Sequence, residues 1–219
     1  MGEVELDRNS RQLNIHATLI FYGNAANEML AGQVAADVAS HWNEPGASVL
    51  IDEEWYRINF IISGVYAPAL NEIDVYENTD PRNNYFRIEG YASGNISFVD
   101  GIRCNTGYFK LENLLHNSTT AAHEFGHTLG LEHPGDTDIR GEGIPGIMYP
   151  RGTIVDPAYQ YDPHAEPLRP GGTLNPFTRK VLHNDIEALQ LHRLSFNEKG
   201  YAILGDFSSV WHEAHERND

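Results

Sequence analysis

The chain has 219 residues, enough to bury a substantial core without crosslinks, and its single cysteine, Cys104, excludes an internal disulfide. Its 31 acidic and 15 basic side chains give a formal net charge of −16 when the histidines are neutral. So acidic a surface repels nucleic-acid phosphates and anionic lipid, and no segment is apolar over the length of a membrane span, so we expect neither nucleic acid nor membrane as a partner.

The first half of the chain predicts a mixed sheet crossed by one helix, without a linker that would divide it into domains. Residues 13–23 alternate apolar and polar side chains and are rich in β-branched residues, which predicts a strand. Residues 24–42 are alanine-rich and amphipathic, and they predict a helix capped by Asn24 or Asn27. Further strands are predicted at residues 47–55, 56–67, 86–101 and 105–112. An acidic loop is predicted at residues 71–84.

The second half predicts a long irregular region followed by a helix. Prolines and glycines are frequent in residues 134–176, and a long loop of this kind in a compact domain is commonly functional. A helix is predicted over residues 177–194, with Asn175 as its cap. Its apolar side includes Val181, Leu182, Ile186 and Leu189. The tail predicts a strand at 200–207 and a short acidic helix.

Between these halves, the segment TTAAHEFGHTLGLEHPGD (residues 119–136) concentrates side chains that bind metals. Because His123 and His127 are four residues apart, a helix presents both imidazoles on one face, close enough to share one ion. Gly130 can end that helix in the left-handed conformation, and a turn there swings His133 toward the other two imidazoles.

Three imidazole ligands are typical of a catalytic zinc site, in which the fourth tetrahedral position is left for water. Glu124 lies beside His123 and is placed to take a proton from the zinc-bound water as it attacks a peptide carbonyl. The pattern therefore predicts a zinc-dependent endopeptidase. A structural zinc site is disfavoured, because such sites commonly close with four protein ligands that include cysteines.

The segment HEFGHTLGLEH matches the signature H-E-x-x-H-x-x-G-x-x-H in full, and here the chain resembles the metzincin clan of zinc endopeptidases. The resemblance implies zinc binding by His123, His127 and His133 and general base catalysis by Glu124. It also implies a methionine turn, whose methionine forms an apolar floor beneath the metal. The sequence GIMYP, which contains Met148, fits that turn.

Within the clan the resemblance is divided between two families. IMYP and NDIEALQLHRL are similar to the matrixins, with Asp185 at the second acid of their C-terminal helix motif, whereas HTLGLEHPGD is similar to the serralysins. Serralysins and astacins have a further tyrosine ligand two residues beyond the methionine. That position is Pro150 here, so Tyr149 is not expected to bind zinc. The chain is identified as matrixin-like with serralysin-like features, and Tyr149, Pro150 and Arg151 are expected to wall the specificity pocket.

The resemblance implies an α+β fold, the metzincin-type zincin. In that fold a twisted mixed β-sheet with two main helices forms an upper subdomain, and a smaller irregular lower subdomain contains a C-terminal helix. The upper subdomain is assigned to residues 13–133 and the lower subdomain to residues 134–194. Residues 1–12 are assigned as an N-terminal extension and residues 195–219 as a C-terminal extension. The two subdomains form a single catalytic domain, 13–194. A peptide or protein substrate is expected between them, paired as an added strand with an edge strand within residues 94–101.

Other candidate sites are also considered. Cys104 is interpreted as a buried or idle thiol, because its surroundings do not match the cysteine switch of matrixin propeptides. His212 and His215 have no further ligand nearby in the sequence and predict an exposed helix face. Calcium binds several members of the clan, and solvated acidic loops are the alternative to calcium sites here. The candidate calcium ligands are Glu72, Asp74, Glu77 and Asp80 in one loop and Asp136, Asp138 and Glu142 in another.

Three alternative functions stay open. An rRNA-maturation endoribonuclease family has a similar three-histidine pattern, but with glycine at the position of Glu124. A non-catalytic module that retains a zinc site is the second alternative, and a toxin-like or effector protease domain of a larger exported protein is the third. An endopeptidase of this type is expected to be secreted or exported, although this chain contains no signal peptide.

Overall fold

The computed structural model describes residues 1–116 and 118–216. Within these residues the chain has a mixed α+β fold in which eight strands form one sheet and four α-helices accompany it. The strands are β1 Gly2–Asp7, β2 Gln12–Tyr22, β3 Ser48–Ile51, β4 Glu54–Tyr66, β5 Asn83–Glu89, β6 Phe98–Val99, β7 Thr106–Lys110 and β8 Tyr201–Leu204. The helices are α1 Glu28–Asn43, α2 Glu72–Tyr76, α3 Thr120–Thr128 and α4 His183–Ala188. Among the residues described, no helix combines the length and apolar character needed to cross a membrane.

The long strand β2 lies at the centre of the sheet. Almost its whole length runs parallel to β4, while its other side pairs first with β1, antiparallel, and then with β5, parallel. β7 continues the sheet in parallel with β5, and the antiparallel strands β3 and β6 lie at opposite edges. The core face of β2 follows the strand period of two, with buried Leu13, Ile15, Ala17, Leu19 and Phe21.

The helix α1 packs against β4 and confirms the helix predicted from residues 24–42. Of the two possible caps, Asn27 is the one used, because its Oδ1 accepts the N–H of Leu30 at 2.9 Å. The helix lies very close to the sheet, since a side chain at Gly64 in β4 would overlap the backbone of Ala31. The buried side of α1 consists of Leu30, Ala31, Val34, Ala35, Val38 and Trp42.

The helix predicted over residues 177–194 is wrong in its extent, because only His183–Ala188 is α-helical. The chain before α4 pairs with the loop that precedes the methionine turn, and the Lys180 N–H donates to the Pro145 carbonyl at 3.0 Å. After α4, Gln190 adopts a left-handed conformation with φ 50°, which stops the helix. Tertiary hydrogen bonds and a turn thus override the helical period of the apolar residues.

Three other predicted elements differ from the structure. The strand predicted at 86–101 is two strands, β5 and β6, with an irregular segment between them. The predicted acidic loop contains the short helix α2, which is stabilised by a capping box between Asn71 and Asp74. The tail has the predicted strand, β8, but its described part at residues 206–216 contains no helix.

Both segments assigned as extensions contribute to the sheet. Residues 1–12 include β1, and residues 195–219 include β8. These two strands pair with each other in antiparallel register, with Val4 opposite Ala202. Because β1 also pairs with β2, both terminal segments are joined to the same sheet that carries the central strands.

Candidate metal centre

The helix α3 carries two of the three candidate ligands, and its C-terminal turn brings in the third. His123 and His127 lie one turn apart in this helix, which is buried along its length. The Gly130 N–H donates to the His127 carbonyl at 3.0 Å. The Leu131 N–H donates to the Gly126 carbonyl at 3.0 Å, which completes a Schellman motif. Gly130 has φ 105°, so the reversal depends on the glycine that the sequence analysis singled out.

The three imidazoles meet at their Nε2 atoms. The Nε2 atom of His133 lies 3.1 Å from that of His123 and 3.1 Å from that of His127. Tetrahedral zinc with Zn–N bonds of about 2.05 Å places neighbouring nitrogens about 3.3 Å apart, close to these separations. In the part of the chain that the structure describes, no other group of three or more His, Cys, Asp or Glu side chains comes together in this way. The cluster is therefore able to hold a metal ion.

Backbone carbonyls fix the orientation of two of these rings. The Nδ1 atom of His123 lies 2.7 Å from the carbonyl oxygen of Ile147. The Nδ1 atom of His127 lies 2.7 Å from the carbonyl oxygen of Leu131. A carbonyl only accepts, so each Nδ1 carries the hydrogen and each Nε2 presents its lone pair to the centre of the cluster. Burial lowers the pKa of both histidines and that of His133, which favours the neutral form that binds metals.

Glu124 lines the same cavity as the three histidines. Its side chain is buried, and Oε2 accepts the N–H of Val99 in β6 at 3.1 Å. Burial raises the pKa of Glu124 to about 8, and the nearby charge of Arg179 opposes this rise. A carboxyl group of raised pKa beside candidate metal ligands is suited to accept and release a proton near neutral pH.

The structure places Met148 directly against the histidine-bearing helix. Met148 is buried, and a side chain at Gly126, between the two candidate ligands of α3, would overlap its sulfur atom. The turn around Met148 is closed by the Tyr149 N–H, which donates to the Gly146 carbonyl at 3.3 Å. Gly126 is therefore needed for the close approach, and the methionine forms an apolar floor next to the candidate ligands.

Asp185 connects α4 to the loop that contains Met148. Its Oδ2 accepts the N–H of Leu182 at 2.8 Å and the N–H of Ile147 at 3.3 Å. Ile147 in turn offers its carbonyl oxygen to the ring of His123. Asp185 thus supports the orientation of a candidate ligand through one intervening residue.

Sequence reasoning missed Arg179, which is 4 % exposed and lines the same cavity. Its Nε donates to Thr119 Oγ1 at 3.0 Å, and its Nη1 donates to the Tyr149 carbonyl at 2.9 Å. Nη1 also lies 2.9 Å from His123 Nδ1, but that nitrogen uses its hydrogen toward Ile147, so the acceptor is the Tyr149 carbonyl. An isolated arginine in an irregular segment carries no sequence signal.

A cavity of about 360 Å³ lies beside the cluster, between β6 and the chain that follows Met148. Of the residues expected to wall the specificity pocket, Pro150 and Arg151 line this cavity. Tyr149 instead lines a neighbouring cavity and packs beside a small apolar cluster. The remaining lining residues are Ile96, Ser97, Phe98, Val99, Thr120, His123, Glu124, His127, His133 and Arg179.

The edge strand expected within residues 94–101 is β6. It pairs with β7 in antiparallel register, with Phe98 opposite Tyr108. On its other side, no strand pairs with β6 among the residues that the structure describes. Residues 96–99 also line the cavity, so an extended chain in the cavity would lie along this edge.

Cys104 and the two histidines of the tail lie outside the cavity. Cys104 is 3 % exposed and is not in a disulfide, which confirms the interpretation as a buried thiol. The exposed helix face predicted for His212 and His215 is wrong, because both are partly buried in an irregular segment. His212 Nε2 lies 2.9 Å from Asp100 Oδ2, and the His215 ring stacks on Tyr108 with centroids 3.9 Å apart. Both side chains therefore have structural partners.

The acidic residues considered for calcium are not brought together into a ligand group within residues 1–116 and 118–216. Asp80 forms an ion pair with Arg82, and Asp138 forms one with Arg140, each at 2.6 Å. These carboxylates are engaged by arginines in their own loops. The structure thus gives calcium binding no support comparable to that of the histidine cluster.

No model of a protein family matches the chain, and no curated protein matches it either. The comparisons therefore add neither a family nor a function. The geometry of the histidine cluster, Glu124 and the adjoining cavity carries the functional argument.

Proposed function

We propose that the chain is a zinc-dependent endopeptidase of the metzincin type, matrixin-like with serralysin-like features. The observation that carries the proposal is the convergence of three imidazole Nε2 atoms, with Glu124 in the same cavity. The mixed sheet with α1 and α3, followed by an irregular region, supports a division into upper and lower subdomains. The substrate is a peptide or protein chain that binds between them.

Zinc suits this donor set, because zinc accepts three imidazole nitrogens in tetrahedral geometry and keeps one position open. His123, His127 and His133 would hold the ion, with the first two rings fixed by the carbonyls of Ile147 and Leu131. When bound, zinc would lower the pKa of a water molecule to about 7 and would polarise a carbonyl oxygen. The rest of the chemistry belongs to the protein's own side chains.

Glu124 is the proposed general base and general acid. The Val99 N–H holds its carboxylate next to the edge strand, where the scissile bond of a paired substrate would lie. There Glu124 first accepts the proton of the attacking water. It then passes this proton to the departing amine as the peptide bond breaks. Burial stabilises the protonated form that exists between the two transfers, whereas the charge of Arg179 and the Val99 N–H stabilise the ionised form that accepts the proton.

The variant Glu124→Gln tests the mechanism, because the amide keeps the shape of the side chain but does not accept the proton. We expect about one zinc ion per chain and a loss of cleavage of at least about 100-fold. Zinc content is measured by mass spectrometry of the dialysed protein, and cleavage is measured on a denatured protein with and without chelator. The matched control is Glu198→Gln, which changes an exposed glutamate outside the cavity and should leave cleavage unchanged.

Each other outcome selects a different conclusion. Unchanged turnover of Glu124→Gln with zinc bound would rule out the mechanism. If the native zinc-loaded chain cleaves no member of a broad peptide library, the non-catalytic zinc module is supported. Cleavage of RNA but not of denatured protein would support the endoribonuclease alternative, which the net charge of −16 opposes.

A further inference from the structure

The cavity beside the histidine cluster is positively charged in a chain whose formal net charge is −16. Arg151 and Arg179 line it, and Glu124 is the only acidic residue among its described lining residues. The lining histidines are the proposed zinc ligands, and an imidazole binds a metal in its neutral form. Two cationic side chains therefore share the cavity with one carboxylate, although acids outnumber bases in the chain as a whole.

Arg179 presents a fixed guanidinium at the cavity wall. Its Nε and Nη1 atoms are held by Thr119 and by the Tyr149 carbonyl. Its Nη2 forms no hydrogen bond with any residue that the structure describes. Nη2 is also not fully enclosed by protein atoms. Since Arg179 lines the cavity, the hydrogens of Nη2 are left for a ligand there. None of the ion pairs among the described residues involves this buried guanidinium.

Arg151 provides the second cation, at the exposed side of the cavity. Its one side-chain hydrogen bond among the described residues joins Nη2 to Asn113 Oδ1 at 3.4 Å, and that acceptor is neutral. Arg151 and Arg179 line the same cavity as Glu124, the proposed base. A ligand next to the scissile bond is therefore within the field of two guanidinium groups.

We propose that this cavity selects peptides with a carboxylate on a residue that flanks the scissile bond. The carboxylate accepts hydrogen bonds from Nη2 of Arg179 and from the guanidinium of Arg151. Charge-assisted bonds of this kind are strong in a shielded site, and the planar guanidinium matches the two carboxylate oxygens. The carboxylate comes either from an aspartate or glutamate side chain or from the C-terminus of a short peptide. The inference rests on the proposed function and names its substrate class.

Matched fluorogenic peptides test the inference on the full, zinc-loaded chain. In one set, each residue that flanks the scissile bond is in turn Asp, Asn or Lys. In a second set, the peptide ends at the flanking residue, either in a free C-terminal carboxylate or in an amide. We expect kcat/KM to be about 10- to 100-fold higher for Asp than for Asn, with Lys lowest. Arg151→Glu should reduce the preference for Asp at least about tenfold and improve cleavage of the Lys peptide. Arg169→Glu makes the same change in net charge outside the cavity, and it should keep the native preference.

The outcomes separate this inference from the proposed function. Equal kcat/KM for Asp and Asn peptides in the native chain would overturn the carboxylate site and leave the endopeptidase proposal standing. If no peptide is cleaved, the endopeptidase proposal fails. The preference for a carboxylate is then measured as peptide affinity, by fluorescence anisotropy of the same peptides with the variant Glu124→Gln. Equal Kd values for the Asp and Asn peptides would then overturn the carboxylate site as well. A preference confined to the free C-terminal carboxylate would identify the chain terminus as the ligand.

Discussion

At the residue scale, hydrogen bonds donated to backbone carbonyls prepare the histidines to bind a metal. Ile147 and Leu131 accept the Nδ1 hydrogens of His123 and His127, so both rings already present Nε2 to the centre of the cluster. Rings fixed in this way lose little rotational freedom when they bind an ion. The spacing of the histidines in the sequence predicts the ligands, but it carries no information about the Ile147 carbonyl, which comes from a distant loop.

The stability of the metal-free chain should depend on these histidines in weak acid. Their folded pKa values lie below the unfolded value of about 6.5, so the unfolded chain binds protons first as the pH falls. Their contribution to stability is present above about pH 6.5 and is lost as the pH falls below it. In urea titrations with chelator, we expect the free energy of unfolding to decline more steeply with acid for the native chain than for His123→Gln.

The prediction concerns the difference in pH dependence between the native chain and His123→Gln, because other groups also titrate in this range. The raised pKa of Glu124 acts in the opposite direction, since the folded state then binds a proton before the unfolded state does. Burial also lowers the pKa of His41, which adds to the loss of stability in acid. Both of these effects are shared by the native chain and the variant. Parallel curves for the two proteins would contradict the prediction.

At the element scale, the sequence predicted the elements that follow from local periodicity and failed where distant contacts decide. The strand β2 and the helix α1 were predicted because their apolar residues keep periods of 2 and 3.6. The helix predicted over residues 177–194 is interrupted, because Lys180 bonds to the Pro145 carbonyl and Gln190 is left-handed. Arg179 has an extended backbone and follows the short 3-10 helix Pro176–Thr178, so the missed site residue lies in the same non-α-helical stretch as the missed break.

The link between α4 and the methionine turn gives a second prediction at this scale. Replacing Asp185 with alanine leaves the N–H groups of Leu182 and Ile147 without their acceptor. We expect a loss of about 1–3 kcal/mol in the free energy of unfolding. Because Ile147 orients His123, we also expect zinc to bind about 10- to 100-fold more weakly.

The matched control for this prediction is Asn184→Ala, which changes the exposed neighbour of Asp185. Stability is measured by urea titration of the metal-free chain, and zinc affinity is measured by competition with a chromogenic chelator. The control should retain both values. If Asp185→Ala also retains both, then the turn holds the Ile147 carbonyl in place without the carboxylate.

At the scale of the whole molecule, segments distant in sequence complete the sheet and cover its outer side. β1 and β8 pair, and residues 206–216 then lie against the strands near the edge that carries β7, where the Val210 N–H donates to Thr106 Oγ1. Trp211 stacks on Tyr22 with ring centroids 4.8 Å apart. Such contacts span almost the whole sequence, so no local pattern predicts them, and the sequence analysis assigned these segments as extensions.

The covering of Cys104 tests whether residues 206–216 form part of the folded unit. In the native chain Cys104 is 3 % exposed, and its Sγ contacts the Ser208 carbonyl. The double variant Trp211→Ala/His215→Ala removes the stacking of Trp211 on Tyr22 and of His215 on Tyr108 and Phe98, and each such contact contributes about 0.5–1.5 kcal/mol beyond burial. We expect Cys104 to react about tenfold faster or more with iodoacetamide, because local opening of the segment becomes less costly. The control His192→Ala changes an exposed histidine, and its Cys104 should react at the native rate. An unchanged rate in the double variant would show that other contacts hold the segment in place.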